Sequence, residues 1–280
     1  MNSYSEMSYI LPSVDFVTNS GFWEPHSSSV DFCEPNYMHS PYIAEFHNVW
    51  SSVFISVLAA LGMYFSNPLQ DTRTMIMFST LFVVGLGSVV LHSTLRDFGQ
   101  SADEVPMLWV NISLIFCLST LHTKKSVLYT GLLLFGVGVL QTVGYFTMRH
   151  VYDFFLFSFI STSCVVVSWT AAIVMSDRNS PDWELRWFLY SRSILSFVFI
   201  GFSLWVFEMN HCASLLPYYL QAQGATFHIL WHLGSGLGAY LQILLMIAIR
   251  MQSLGSVAEV KWVGGILPTI SNGGQKVLFA

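Results

Sequence analysis

Apolar residues come in seven long runs along the chain, at approximately 43–65, 74–94, 104–121, 126–147, 151–176, 187–208 and 225–249. Each is close to the roughly 20 residues that a helix needs to cross the hydrocarbon layer of a bilayer. Short polar connections separate the runs, and the longest holds the Asp177–Glu184 segment with Pro181. The pattern predicts seven membrane-spanning helices joined by tight loops. No internal repeat or low-complexity tract interrupts it.

Composition agrees. Of 280 residues, 54% are hydrophobic and only 10% are charged, and mean hydropathy is +0.57. A soluble domain carries about a quarter charged residues. The formal net charge is −5, from 16 acidic and 11 basic residues. With no basic stripe to follow a phosphate backbone, nucleic acid is not an expected partner. The first 40 or so residues are polar, acidic and rich in Ser and Pro, without the basic start and apolar core of a cleavable signal peptide.

Basic residues stay on the cytosolic side of a membrane. With the N-terminus outside, Arg73, Lys124, Lys125, Arg178, Arg186, Arg192, Arg250, Lys261 and Lys276 lie inside, and Arg96 and Arg149 outside. The expected fold is therefore an all-α, polytopic seven-helix bundle with a lumenal or extracellular N-terminus and a cytosolic C-terminus. Its parts are a lumenal acidic arm over residues 1–42, a membrane domain over 43–250 and a cytosolic tail over 251–280. Of the four cysteines, Cys117 and Cys164 fall within spans, where a thiol serves as a small apolar group. Cys33 and Cys212 share the outer, oxidising side, which predicts a disulfide between them; two free thiols are the alternative.

Among nine histidines, His92, His228 and His232 stand out. His228 and His232 sit at i and i+4, on one helical face about a turn apart. His92 ends an outward-running span, and the other two begin an inward-running one, so all three reach similar depth near the outer face. Three neutral imidazoles with one position left open describe a catalytic zinc site. Ser88 shares the His92 face, and Asp103 opens the third span at the same level. A polar network tying helices two, three and seven together is the competing reading, and Asp103 alone would also suit a helix cap. Gly234 and Gly238 read as close-packing positions.

Before the first span, "SSVDFCEPNY" and "YIAEFHN" carry Asp31, Glu34, Asn36 and Glu45 with no basic residue in that stretch. Such oxygens suit calcium. The spacing is not that of an EF-hand, and by spacing alone the segment reads as a solvated acidic loop.

Together these segments resemble the alkaline ceramidases, within the superfamily of seven-helix membrane hydrolases that includes adiponectin-receptor-like proteins. The likeness rests on "VDFCEPNY" with "YIAEFHN", "GLGSVVLHSTL", "SADEVPMLW" and "FHILWHLGSGLGAYL", in order from residue 31 to about 240. It implies zinc held by His92, His228 and His232, with Ser88 and Asp103 flanking its water. It also implies calcium held by Asp31, Glu34, Asn36 and Glu45 and by the backbone carbonyl of Phe32, where the family usually has Trp. Cys33 and Cys212 match the family's lumenal cysteines. The implied activity is hydrolysis of ceramide, drawn from the surrounding lipid, to a fatty acid and a sphingoid base. The implied setting is the endoplasmic reticulum or Golgi membrane, although the plasma membrane shares this topology. The alternatives are a seven-helix lipid receptor or sensor with a structural metal, and a related intramembrane lipid esterase. Asn111-Ile-Ser lies inside a span and is expected to be unglycosylated.

Overall fold

The computed structural model describes residues 20–121, 127–148 and 151–275. Among the described residues, seven helical stretches are long and apolar enough to cross a membrane. They are α1 (Phe46–Phe65), α2 (Thr72–Thr94), α3 (Asp97–Ser119), α4 (Val127–Thr147), α5 (Val151–Ser176), a bipartite sixth span, and α8 (His228–Ser253). The sixth span joins α6 (Trp183–Ile194) to α7 (Ser203–Gln221) through a π-helical segment, Leu195–Phe202. Lys124, Lys125, Arg149 and Lys276, used above for orientation, lie outside the described residues, as do 1–19 of the arm.

Helix α8 is the axis of the bundle. Its run from Tyr240 to Ile249 is buried throughout and forms one core with Ile55 and Leu58 of α1, Met77, Phe78 and Leu81 of α2, and Leu114 of α3. The peripheral helix α4 leaves Leu132, Phe135 and Leu140 exposed, as a lipid-facing helix does. The close-packing role expected of Gly234 and Gly238 holds. A β-carbon on Gly234 would meet the backbone of Gly201 at 2.6 Å, and one on Gly238 would meet Phe197 at 2.7 Å.

The arm is strapped across the end of α2. A helix C-terminus leaves its last carbonyls without intrahelical partners. Here arm N–H groups take them: Glu45 donates to the His92 carbonyl (2.9 Å), Ala44 to Ser93 (3.0 Å), and Ser27 and Ser28 both to Leu95 (3.1 Å each). Leu95 itself adopts a left-handed conformation (φ 47°) that ends the helix, and its side chain is fully buried. A disulfide joins Cys33 to Cys212, Cα to Cα 5.6 Å, and ties the arm to α7.

Hydropathy misplaced three boundaries. Helix α3 begins at Asp97, not near residue 104, because its polar first turns bond to the arm and need no lipid. Asp103 therefore lies well inside a helix and is not a cap. The sixth span runs on from Trp183 to Gln221. The segment read as a tail is not helical: β1 (Ser256–Val263) and β2 (Leu267–Gln275) form an antiparallel hairpin. Alternation around the Gly264-Gly265 turn accounts for it, since Ala258 and Ile270 point into the α8 core while Glu259 and Lys261 point out. Tyr240 of α8 donates to the Pro268 carbonyl (2.7 Å) and anchors the hairpin.

Candidate functional site

Three buried histidines meet where the end of α2 faces the start of α8. Ring centroids are 5.1 Å apart for His92 and His228, 4.8 Å for His92 and His232, and 4.6 Å for His228 and His232. One nitrogen of each falls within 4.8 Å of the others. Zinc–imidazole bonds of about 2.0–2.1 Å allow ligand nitrogens at most about 4.2 Å apart. Small side-chain adjustments thus suffice to bring the three onto one ion. Among the described residues, His92 Nε2 and His228 Nδ1 are buried with no hydrogen-bond partner, which is costly unless a ligand takes their lone pairs. The donor set fits a metal ion.

Neighbours fix the rings. The carboxylate of Glu45 bonds to Nδ1 of His92, leaving Nε2 free; carboxylates commonly orient metal-binding histidines in this way. Ser51 Oγ lies 2.7 Å from Nδ1 of His232. Ser88 Oγ lies 3.4 Å from Nε2 of the same ring and 2.9 Å from Ser52 Oγ. Ser88 is also the hydroxyl neighbour of the Asp103 carboxylate. The structure therefore gathers Ser88, His92, Asp103, His228 and His232, although they are drawn from three helices.

What lets α3 come this close is Gly87, which the sequence reading passed over. A β-carbon there would stand 1.8 Å from the Ala102 carbonyl oxygen and 2.8 Å from the Asp103 amide nitrogen. The glycine beside Ser88 in "GLGSVVLH" was the available signal.

The acidic arm reaches the same place. Both oxygens of Glu34 cap α1, accepting from the amides of His47 (2.7 Å) and Asn48 (2.9 Å). Glu45 accepts from the Phe32 amide (3.1 Å) through one oxygen and from Asn48 Nδ2 (3.2 Å) through the other. Asn36 Nδ2 donates to Asp31 (3.3 Å), while the amide oxygens of Asn36 and Asn48 are buried and have no partner among the described residues. Burial first, then the Glu45 charge, pushes the carboxyl of Asp31 up to about 7 and that of Glu34 to about 8. Burial raises Glu45 itself to about 8. Carboxylates crowded this way, with orphaned amide oxygens beside them, suit a hard cation. The Phe32 ring lies against His228, centroids 4.0 Å apart, and against His92 at 5.0 Å. Phe32 thus joins the arm to the histidines by its side chain, a contact the sequence did not suggest.

Residues 24–271 match the ceramidase family. The chain belongs to that family. It is similar to alkaline ceramidase 3 of Mus musculus, with 29% identity over 93% of this chain and 97% of the mouse protein. It is similar also to an alkaline ceramidase of Arabidopsis thaliana, 27% identical over 90% of this chain and 95% of the plant protein. A putative alkaline ceramidase of Dictyostelium discoideum, dcd3A, is 28% identical over 81% of this chain and 88% of its own length.

In this ceramidase-family chain one cavity reaches the histidines and a second lies beside it. The smaller, about 40 Å³, is walled by His228, Asp103 and Glu104 together with Tyr152 and Trp205. The larger, about 90 Å³, runs deeper between α3, α5 and α8 past Leu114 and Val166 to Gln242. Met107 and Phe159 wall both, so they are neighbours in one bundle interior.

Proposed function

We propose that this protein hydrolyses the N-acyl amide bond of ceramide, releasing a fatty acid and a sphingoid base. The observation that carries the reading is the convergence of His92, His228 and His232 beside Ser88 and Asp103, with His228 and Asp103 lining a cavity that shares Met107 and Phe159 with an apolar one, in a chain of the ceramidase family. His92 Nε2, His228 and His232 would hold zinc, with Glu45 orienting the His92 ring. Bound there, zinc would lower the pKa of a water from about 15.7 towards 7 and polarise the scissile carbonyl. Asp103 takes the proton as water adds to the carbonyl carbon. It returns that proton to the amine nitrogen as the C–N bond breaks. Ser88 donates to the oxygen on which charge develops, where a donor in a low-dielectric site is worth more than in water.

Asp31, Glu34, Asn36, Glu45 and the Phe32 carbonyl would hold calcium, whose charge would offset the crowded carboxylates. Since Glu45 also touches His92, ordering the arm orders the first histidine. The arm then forms a lumenal cap on the catalytic bundle, with residues 251–275 on the cytosolic side, in a membrane of the endoplasmic reticulum or Golgi. The excess of basic residues on one side supports that orientation.

Turnover of matched amide and ester lipids tests the reading, alongside Ser88→Ala and Asp103→Asn with zinc content measured. The account expects amide cleavage by wild type and loss of about 10²–10³ in kcat for Ser88→Ala with zinc retained. Cleavage of the ester alone, or unchanged kcat in both variants, contradicts it.

A further inference from the structure

The smaller cavity has chemistry that the hydrolytic steps do not use. We infer that it is a subsite for the hydroxyl groups on the amine half of the substrate, bound by Tyr152 and Glu104. This rests on the reading of the centre as an amide hydrolase and names the part of the substrate recognised there.

The walls state the ligand's character. His228 and Asp103 put the cavity at the reacting centre, and Phe32, Trp205 and Trp231 give it apolar faces. Glu104 is buried and held from behind: Gln100 Nε2 donates to one oxygen (3.0 Å) and the Tyr145 hydroxyl to the other (2.7 Å). Gln100 is in turn fixed by the Ser29 amide, which donates to its side-chain oxygen (2.7 Å). A carboxylate offers about four acceptor positions, so this locked group retains capacity for a donor entering the cavity. Tyr152 lines the same space, its ring packed beside Phe155. Tyr152 is partly buried, and among the described residues its hydroxyl has no hydrogen-bond partner, which leaves it able to donate to or accept from a group that enters the cavity. An acceptor and an unused hydroxyl face one small space beside the scissile position.

Among the described residues no Lys or Arg lines the cavity, so they offer a phosphate or carboxylate head group no cation there. It suits a neutral, hydroxyl-bearing amine. The neighbouring apolar cavity, sharing Met107 and Phe159, gives an attached hydrocarbon chain somewhere to go. The ligand class is a long-chain amide whose amine carries hydroxyls close to the nitrogen.

The test uses the full-length metal-loaded protein in detergent and two amides with one acyl chain: ceramide, and the amide of a straight-chain alkylamine without hydroxyls. Wild type is expected to show a kcat/KM at least tenfold higher for ceramide. Tyr152→Phe, which removes one oxygen and keeps the ring, should lower that ratio about tenfold, chiefly through the KM for ceramide. Direct titration with the free long-chain 2-amino-1,3-diol should show about tenfold weaker binding to the variant. A ratio and an affinity both within twofold of wild type overturn the subsite, as does a wild type indifferent to the hydroxyls. If wild type cleaves neither amide, yet binds the aminodiol more tightly than the variant does, the subsite stands and the hydrolase reading falls.

Discussion

Replacing Gly87 with Ala asks whether the contact between α2 and α3 sets the site. The added β-carbon would stand 1.8 Å from the Ala102 carbonyl oxygen, 2.4 Å from its carbon and 2.8 Å from the Asp103 nitrogen. All three are backbone atoms, so no side chain can rotate aside. Restoring ordinary van der Waals contact moves the helices apart by about 1.5 Å. Overpacking of this kind costs about 1–3 kcal/mol, which lowers Tm without abolishing the fold. Asp103 sits on the displaced segment, whereas His92, His228 and His232 sit on α2 and α8. Misplacing a catalytic group by about 1 Å costs about 10²-fold in rate. Gly87→Ala should therefore keep its zinc and lose about two orders of magnitude in kcat. Steady-state kinetics with metal analysis on the same sample measure both. A kcat within threefold of wild type would refute the claim that close approach of α3 positions Asp103. Loss of zinc in proportion to activity would refute the division of labour between helices.

Two further outcomes follow from the arm. In calcium-free protein, Asp31 and Glu34 titrate near 7 and 8, above their ordinary 3.8 and 4.5. The native state then holds extra protons from about pH 4 to 8, and its stability falls as pH rises through that window. Calcium bound as proposed would have to displace those protons, so the gap in Tm between calcium and chelator should widen from about pH 6 to 9; a chelated Tm that holds steady or rises would contradict this. The Cys33–Cys212 bond spans 179 residues, and losing it should cost about 2–5 kcal/mol. Thermal unfolding of Cys212→Ser should match that of reduced wild type, both below oxidised wild type, and a reductant-insensitive Tm would count against the bridge.

The spans were legible because a bilayer demands a long apolar run whatever the tertiary contacts. The i, i+4 spacing of His228 and His232 was legible for a similarly local reason, and alternating topology carried His92 to the same depth. Glu45 was legible only as an acidic residue. Its bond to His92 depends on the arm crossing the end of α2, and no local pattern encodes that crossing. Gly87 was hidden because glycine is common in membrane helices, and only the neighbouring backbone shows which one cannot change. Asp103 was found, but its place inside α3 was misread because hydropathy ignores polar turns that bond to another segment. The hairpin over 256–275 carried a visible period-two alternation that a search for membrane helices overlooks.

The most direct test is release of fatty acid from fluorescent ceramide by purified protein, wild type beside His232→Ala, with zinc counted in both. The account predicts zinc bound and ceramide cleaved by wild type, and both lost together in the variant. Ceramide cleaved equally by the two proteins, or a wild type that binds zinc and cleaves no ceramide, would contradict it.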